Sequence, residues 1–444
     1  TTAEELVKKH VEQNTTRWNA NNAALVTINP RTGDILTMVG SRDYFDSEND
    51  GNVNVAIRGN QPGSSFKPFA YATAFSKGYT PQTLLFDVET NFKVEDYEKD
   101  YIPQNYDGKF NGKVTMREAL ARSLNVPAVK TLYLAGIDET LKTAESMGIS
   151  TLTDRKNYGL ALVLGSGNVT LLEETAAFGV FANDGVKLDH RVVLKIQDSK
   201  GNIIREAETQ SGKRVLAQQV ARQINDCLQD NSARSPTFGG HSPLYISGKN
   251  VAAKTGTTQE YRDAWTVGYT PELVVGVWAG NNYNEPMKEG AGGVAVAAPL
   301  WNDFMKRFID QYSGTDFKKP KEEEIEKPML GGFLEDEIEL RIDEDSGYIA
   351  TEDCKDKHID KEKFQVSNTI LYYVDIEDPR GEIPEDPEED PQYENWEKAV
   401  QKYAQKHKIK NNPPPMDIRA CEGKLNGDGE EVEYDEDDDD DDDD

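Results

Sequence analysis

Strand patterns stand at both ends of one long segment of this chain, and helical patterns lie between them. Residues 24–40, ALVTINPRTGDILTMVG, predict two strands joined by a turn at Pro30-Arg31-Thr32-Gly33. Residues 251–281, VAAKTGTTQEYRDAWTVGYTPELVVGVWAGN, predict three more strands, with a turn at Thr270-Pro271. Strands that come from both ends can share one sheet while the helices cover its faces. The pattern therefore predicts an α+β fold with an antiparallel sheet flanked by helices.

The helical patterns that lie between the strands, together with one that follows them, complete the predicted domain. They span residues 64–77, 114–122, 126–135, 171–183, 215–230 and 298–312. We expect residues 1–20 to form a linker or a helical lead-in and residues 21–315 to form the domain itself.

The charge of the chain changes after this domain. Residues 1–310 carry 36 acidic and 33 basic side chains, whereas residues 311–444 carry 44 acidic and 17 basic ones. We expect a charged linker at 316–328, a C-terminal extension at 329–410 and an acidic disordered tail at 411–444. Because neither part has the clustered Lys and Arg that phosphate contacts require, the composition argues against a nucleic-acid partner.

The C-terminal extension has its own predicted elements. ELRIDEDSGYIA, at 339–350, predicts a small β segment that turns at Asp-Ser-Gly, and TILYYVDI, at 369–376, predicts a strand. Residues 393–407 predict a helix with one apolar face, which we expect to dock on this same chain. That face consists of Trp396, Ala399, Val400, Tyr403 and His407.

Several sequence features bear on anchoring and on cofactors. No run of about 18 apolar residues occurs, so no membrane span is predicted. The chain begins at Thr1 with no signal-peptide pattern, and we interpret it as a portion of a longer protein. Cys227, Cys354 and Cys421 are far apart, without a C-x-x-C pair or a His at metal spacing. We therefore expect no metal site and no cofactor.

The candidate nucleophile lies in residues 61–75, QPGSSFKPFAYATAF. The Pro-Gly turn places Ser64 at a helix N-terminus, where the helix dipole favours an alkoxide. Lys67 lies one turn further on and can accept the serine proton if its pKa is lowered. Taken alone, the pattern also fits a capping serine and a solvated lysine. Ser64 is favoured over Ser65 because only Ser64 has a lysine three residues ahead.

Two further motifs favour the nucleophile interpretation of Ser64 over the capping one. Lys254-Thr255-Gly256 is the only K-T-G in the chain, and its small residues on a strand would let a substrate backbone lie alongside. The pattern Ser-x-Asn occurs at 47–49, 123–125 and 166–168. Only Ser123-Leu124-Asn125 lies at a helix junction between the other two motifs, so it is the one selected.

PGSSFKP, RSLNVPAV and AAKTGTTQEYRDAWTVGYTP together resemble the transpeptidase domain of bacterial penicillin-binding proteins. INPRTGDILTMVGSRDY and LEETAAFGVFANDG resemble the bifunctional class A branch in particular. The resemblance covers about residues 22–310, and RIDEDSGYIATEDC looks like the short segment that often follows. It implies the penicillin-binding/β-lactamase-like transpeptidase fold. Class A members also have a glycosyltransferase domain and an N-terminal membrane anchor, and neither is present in this chain.

The resemblance implies a D,D-transpeptidase that acts on peptidoglycan stem peptides ending in D-Ala-D-Ala, with an amine acceptor, and that β-lactams inhibit. Ser64 would attack the penultimate D-Ala carbonyl, and Lys67 would be the base. Lys254 would lower the pKa of Lys67 by like-charge repulsion. Ser123 would relay a proton to the leaving amine, and Asn125 would hold the donor amide. The implied location is extracytoplasmic, at the outer face of the bacterial membrane.

The resemblance also places substrate contacts on the K-T-G strand. The Thr255 and Thr257 hydroxyls would bind the terminal carboxylate of the donor, with Gly256 and Thr258 in the same binding stretch. The backbone N–H groups of Ser64 and Thr257 are the candidate oxyanion donors.

Other functions remain open at this stage. A D,D-carboxypeptidase uses the same acylation, and a β-lactam or muropeptide sensor acylates without turnover. A class A β-lactamase is disfavoured because no E-x-x-x-N occurs between Asn125 and Lys254, and a Ser-His-Asp hydrolase because no G-x-S-x-G exists. The C-terminal segments are an alternative functional part, as a wall-binding or partner-binding module.

Overall fold

The computed structural model describes residues 1–93, 100–312, 314–334, 337–343, 348–350, 359–365 and 367–407. Its helices are α1 (Thr2–Trp18), α2 (Lys67–Lys77), α3 (Met116–Arg122), α4 (Asn125–Ala135), α5 (Ile137–Met147), α6 (Leu171–Ala182), α7 (Gln218–Gln229), α8 (Asn231–Phe238), α9 (Gly293–Val296), α10 (Ala298–Phe308) and α11 (Tyr393–Lys406). Its longer strands are β1 (Asn22–Ile28), β2 (Ile35–Val39), β4 (Leu84–Asp87), β5 (Gly112–Thr115), β9 (Ile203–Glu206), β11 (Ala252–Thr257), β12 (Asp263–Tyr269), β13 (Val274–Gly280), β14 (Glu337–Asp343) and β15 (Ile359–Gln365). Strands of two or three residues are β3 (Gly59–Asn60), β6 (Val169–Thr170), β7 (Val186–Lys187), β8 (Lys195–Gln197) and β10 (Lys213–Arg214).

A five-stranded antiparallel sheet forms the centre of the fold, in the order β11-β12-β13-β1-β2. Strands from the two ends of the domain pair directly, because β1 lies beside β13 with Asn22 opposite Gly280 and Ile28 opposite Val274. The turn between β1 and β2 contains Gly33 at a φ of 77°, a conformation in which a side chain would be strained. The predicted α+β architecture with an antiparallel sheet is confirmed.

Helices cover both faces of this sheet, and strand glycines let them approach closely. On one face α6 crosses β13, where a Cβ added to Gly276 would lie 2.0 Å from Thr175 Oγ1. On the other face α10 crosses β12, where a Cβ added to Gly268 would lie 2.3 Å from a ring carbon of Trp301. Every residue of β1, β12 and β13 is buried as a result.

The first residues of the chain belong to the second of these faces. They form α1, which packs against α10 and β1 and buries Val7 and Val11 in the core. The helix is closed at its start by a capping box between Thr1 and Glu4. Of the two forms expected for residues 1–20, a linker or a helical lead-in, Thr2–Trp18 form a helix that packs against the domain.

The helix α11 docks on this same chain, as the apolar face predicts. Trp396 is fully buried, with its ring centroid 5.7 Å from that of Phe92 and 5.4 Å from that of Tyr133. The ammonium of Lys130 lies 5.0 Å from the Trp396 ring centroid, a cation–π contact, and donates to Phe86 O at 2.9 Å. Ala399 and Val400 are also buried, Tyr403 stacks near Phe86, and His407 is exposed.

The prediction of a strand at 369–376 is wrong. Ile370–Tyr372 form a 3-10 turn, and the side chains of Ile370, Leu371, Tyr373 and Val374 are all buried. A short apolar run that is buried on all sides has no alternation, so the pattern cannot distinguish a strand from a buried turn.

The β segment of the extension is present, since β14 pairs with β15 in antiparallel register. Its expected Asp345-Ser346-Gly347 turn, the expected tail at 411–444, and Cys354 and Cys421 lie outside the described residues. Within the described ranges, no helix is both long and apolar enough to cross a bilayer.

Trp396→Ala tests how much α11 contributes to stability. We expect the variant to lose about 3–5 kcal/mol of unfolding free energy, because it removes a buried indole from three partners. Urea unfolding measures this loss, and Lys398→Ala on the exposed face of α11 is the matched control. Equal midpoints for the two variants would contradict the docked position of the helix.

Candidate active site

The candidate nucleophile lies on a short 3-10 turn, Gly63–Phe66, that leads directly into α2. The predicted helix at 64–77 therefore begins later than expected, at Lys67, and Pro68 lies in its first turn, where proline is tolerated. Because residues three apart lie on the same side of a 3-10 turn, Lys67 follows Ser64 on one face.

The two serines of this turn differ in exposure. Ser65 is fully buried, and its hydroxyl donates to Pro62 O at 2.7 Å. Ser64 is half-buried, and among the described residues its hydroxyl has no hydrogen-bond partner. Ser64 is thus the one of the pair whose oxygen is accessible to a substrate.

Lys67 is fully buried and reaches the loop between α3 and α4. Its ammonium donates to Ser123 O at 2.7 Å, to Leu124 O at 3.0 Å and to Asn125 Oδ1 at 2.7 Å. Burial lowers the pKa of Lys67 well below its usual value, the nearby Lys254 ammonium lowers it further, and the Asp87 carboxylate opposes them. Lys67 is therefore an amine that loses its proton more readily than a solvated lysine.

Ser123 lies between the two lysines. Lys254 Nζ donates to Ser123 Oγ at 2.7 Å and to Thr255 O at 2.9 Å, while Lys67 Nζ lies 3.5 Å from the same hydroxyl oxygen. Ser123 has a φ of 62°, a left-handed conformation that is unusual for a serine and that ends α3. Burial lowers the pKa of Lys254 to about 7, although Glu174 raises it and Arg234 lowers it further.

Asn125 is the first residue of α4, and every polar group of its side chain is engaged. Its Oδ1 accepts from Lys67, its Nδ2 donates to Gln104 O at 2.8 Å, and its backbone N–H donates to Asn105 Oδ1 at 2.7 Å. The three motifs selected from the sequence therefore come together in the structure around one loop.

The strand β11 approaches the nucleophile turn more closely than any side chain would allow. A Cβ added to Gly256 would lie 2.0 Å from Pro62 O, and one added to Gly63, which has a φ of 58°, would lie 2.5 Å from Thr257 O. Glycine at 63 and at 256 is thus required for the close contact of the two backbones. β11 is also an outer strand of the described sheet.

The threonines of β11 differ in what they contact. Thr257 Oγ1 accepts from the Gly293 N–H at 2.9 Å, which leaves its own hydroxyl proton to donate. Thr255 has no hydrogen-bond partner for its hydroxyl among the described residues, although it is nearly buried. Thr258, which follows β11, uses its hydroxyl within the β11–β12 hairpin, where it accepts from Asp263 N at 2.8 Å.

Charged residues that the motifs did not reveal complete the site. Glu174 on α6 is fully buried beside Ser65 and Lys254, and burial raises its pKa to about 8. Arg234 on α8 donates to Leu228 O at 2.6 Å, and burial lowers its pKa to about 10. The sequence contains no signal for either residue, since Glu173 and Glu174 are adjacent in LEETAAF and only the fold buries the second.

A family model, the penicillin binding protein transpeptidase domain, matches residues 23–306 of this chain. The chain belongs to this family. Penicillin-binding protein 1A of Aquifex aeolicus (strain VF5) is 35% identical over 304 residues, 67% of this chain and 40% of that protein. Penicillin-binding protein 2D of Bacillus subtilis (strain 168) is 31% identical over 338 residues, 74% of this chain and 45% of that protein. The chain thus spans less than half the length of these relatives.

Solved structures of penicillin-binding proteins share the fold. Penicillin-binding protein 1A from Haemophilus influenzae is 26% identical with a TM-score of 0.61, over 77% of this chain and 53% of that one. PonA1 from Mycobacterium tuberculosis is 25% identical with a TM-score of 0.62, over 72% of this chain and 86% of that one. The expected transpeptidase fold, and the similarity to class A proteins, are therefore confirmed.

Glu174→Gln tests the buried carboxyl of this site. Because the folded-state pKa is about 8 against an ordinary 4.5, the folded protein keeps a proton that the unfolded chain releases. The contribution of this proton to the free energy of unfolding is complete below the ordinary pKa of 4.5. It is lost as the pH rises from that value through the folded-state pKa of about 8. We expect the unfolding free energy of the variant, relative to that of the wild type, to increase by up to about 1.4 kcal/mol per pH unit between those two pKa values.

Urea unfolding at pH 5, 6.5 and 8 measures that trend, and Glu173→Gln, at the half-buried neighbour, is the control. A Glu174→Gln variant that is less stable by the same amount at every pH would instead indicate an ionised Glu174 paired with Lys254.

Proposed function

We propose that this chain is a serine D,D-transpeptidase that cross-links peptidoglycan stem peptides through an acyl-enzyme on Ser64. The observation that carries the proposal is the accessible Ser64 hydroxyl on a turn next to two buried lysines that share Ser123. Class A relatives and the family model support the same reaction class.

Acylation begins when Ser64 Oγ attacks the penultimate D-Ala carbonyl of a stem peptide ending in D-Ala-D-Ala. Lys67 in its neutral form accepts the serine proton. Its lowered pKa supplies that neutral form, since burial and the Lys254 charge both disfavour the ammonium. Three oxygen acceptors surround Lys67 Nζ; the ammonium can donate to all three, and the neutral amine, which has two N–H bonds, can donate to two of them.

Departure of the terminal D-Ala needs a proton on its nitrogen. Ser123 Oγ accepts from Lys254, so its own hydroxyl proton is available for the leaving amine. Ser123 then recovers a proton from Lys67, whose Nζ lies 3.5 Å away. The C–N bond of the donor breaks, the Ser64 ester remains, and the protons are balanced between Lys67 and the released D-Ala.

Two features of β11 suit the binding of the donor. As an outer strand it offers its backbone to an extended peptide, and the Thr255 and Thr257 hydroxyls are suited to its terminal carboxylate. The developing oxyanion would be held by the N–H groups of Ser64 and Thr257. Their proximity is supported by Gly63, where an added Cβ would lie 2.8 Å from Thr257 N.

The partners of this site follow from the same chemistry. An amine from a neighbouring stem peptide takes the acyl group and forms the cross-link. A β-lactam would acylate Ser64 in the same way, and PonA1 from Mycobacterium tuberculosis, 25% identical, is known in complex with penicillin V. We place the domain outside the cytoplasmic membrane, attached to that membrane in the full-length protein, because its substrate lies there.

Product analysis tests the proposal directly. The purified chain is incubated with a peptide ending in D-Ala-D-Ala and an amine acceptor, and the products are identified by mass spectrometry. We expect a cross-linked peptide and free D-Ala. Hydrolysed donor alone would indicate a D,D-carboxypeptidase, and a persistent acyl-enzyme without product would indicate a sensor, and either result overturns the transpeptidase assignment.

Ser64→Ala tests the nucleophile. We expect it to abolish covalent labelling by a fluorescent penicillin while the thermal unfolding midpoint stays near that of the wild type. Ser65→Ala is the matched control, because it removes the neighbouring hydroxyl and its bond to Pro62 O. We expect this control to lose about 1 kcal/mol of stability and to keep its labelling. Wild-type labelling of Ser64→Ala would refute the assignment.

A further inference from the structure

Asp87, the last residue of β4, is a buried carboxylate at the centre of a hydrogen-bond network. Asn105 Nδ2 donates to its two oxygens at 2.9 and 2.8 Å. Asn111 donates to Asp87 Oδ2 twice, from its backbone N–H at 3.0 Å and from Nδ2 at 2.6 Å. Both oxygens of the carboxylate thus accept hydrogen bonds from two asparagines of the loop between β4 and β5.

These two asparagines reach opposite ends of the loop Ser123-Leu124-Asn125. Asn105 Oδ1 accepts from the Asn125 N–H at 2.7 Å, at the start of α4. Asn111 Oδ1 accepts from the Arg122 guanidinium, at the end of α3 and directly before Ser123. One carboxylate is therefore linked to both flanks of the loop, through the Asn105 side chain to the backbone of Asn125 and through the side chains of Asn111 and Arg122 on the other flank.

The loop held in this way supplies the acceptors of Lys67. Ser123 O, Leu124 O and Asn125 Oδ1 receive the three hydrogen bonds of its ammonium, and Ser123 Oγ receives that of Lys254. A shift of the loop would move these acceptors relative to Ser64. Misplacement of reacting groups by about 1 Å can cost about 10²-fold in rate.

We propose that Asp87 is a positioning residue of the acylation reaction, which fixes the Ser123-Leu124-Asn125 loop against Lys67 through Asn105 and Asn111. The proposal rests on the proposed function, since it assigns Asp87 a role in the same site. Asp87 does not contact the nucleophile or the substrate groups, and it acts through the two asparagines.

Asp87 also acts on Lys67 through its charge. Burial and Lys254 lower the pKa of Lys67, and the Asp87 carboxylate raises it. The charged and titratable groups around this centre are Lys254 on β11, Asp87 on β4, Lys130 and Tyr71, which also sense Asp87, and Glu174 and Arg234, which act on Lys254. Loss of the Asp87 charge would therefore lower the pKa of Lys67, and it would also lower the pKa values of Lys130 and Tyr71.

Asp87→Asn is the first test, with the second-order rate constant of acylation by a fluorescent penicillin measured from pH 5 to 9. The amide nitrogen faces donors on one side, so at least one hydrogen bond to Asn105 or Asn111 is lost. We expect the rate constant to fall by about 10²-fold. We also expect the acid limb of the pH profile to move to lower pH, because a more acidic Lys67 becomes neutral sooner. A purely structural loss of active protein would not move that limb.

Asn105→Ala separates geometry from charge. It removes the bond to the Asn125 N–H but leaves the Asp87 carboxylate, so we expect a slower acylation with the acid limb in its wild-type position. Asp107→Asn, at an exposed position in the same loop, is the control and should acylate like the wild type.

A folded Asp87→Asn variant with a rate constant within twofold of the wild type and an unshifted limb would overturn the proposal. If Asp87→Asn does not fold, Asn105→Ala decides, and wild-type acylation by that variant overturns it as well. The wild-type chain and Ser64→Ala, measured alongside, distinguish a failure of the Asp87 proposal from a failure of the proposed function. A wild type that is not acylated, or a Ser64→Ala variant that still is, refutes the proposed function itself and this role with it.

Discussion

Two lysine ammonium groups are buried against one loop, and the rest of the site depends on this arrangement. A buried ammonium is costly unless oxygen atoms replace its lost water. Lys67 obtains three such oxygens from Ser123, Leu124 and Asn125, and Lys254 obtains two from Ser123 and Thr255. The α2 helix, the α3–α4 loop and β11 must therefore meet at hydrogen-bond distance. A displacement of any one of them would leave a buried ammonium without its oxygen acceptors.

Close backbone contact makes that meeting possible. The nucleophile turn lies against β11 at Gly256 on one side and against Gly165 on the other, where an added Cβ would lie 2.2 Å from Gly63 N. No side chain fits between these segments, so Ser64 has little freedom to move relative to β11. In the proposed acylation, a backbone held in this way would limit the reorganisation that precedes attack, which is the condition under which fixed dipoles and proton acceptors are most effective.

Further charged groups act on the two lysines. Asp87 raises the pKa of Lys67, Glu174 raises that of Lys254, and Arg234 lowers that of Lys254. The C-terminal helix α11 reaches the same region, since Trp396 lies on Lys130, whose ammonium donates to the strand residue just before Asp87. The helix α11 is thus packed close to β4, the strand that carries Asp87.

Much of the fold could be read from local patterns. The strands at 24–40 and 251–281 are marked by runs of apolar and β-branched residues between turn residues, and the helices between them by their apolar spacing, and both signals lie in neighbouring residues. The pattern failed at 369–376, where a buried 3-10 turn has the same run of apolar residues as a strand. It also placed the start of α2 at Ser64, because a 3-10 turn and an α-helix share the spacing of three.

The sequence alone determined the chemistry-bearing residues: a serine with a lysine one turn ahead, a Ser-x-Asn at a helix junction and a single K-T-G. Their order along the chain selected one candidate for each. Only the tertiary structure decided that Ser65 and Thr258 are internal, that Glu174 rather than Glu173 lies beside Lys254, and that Asp87 holds both ends of the Ser123 loop. The burial of these residues, and contacts such as the hydrogen bond from Lys254 to Ser123, 131 residues away in the chain, arise from packing between distant segments that no local spacing encodes.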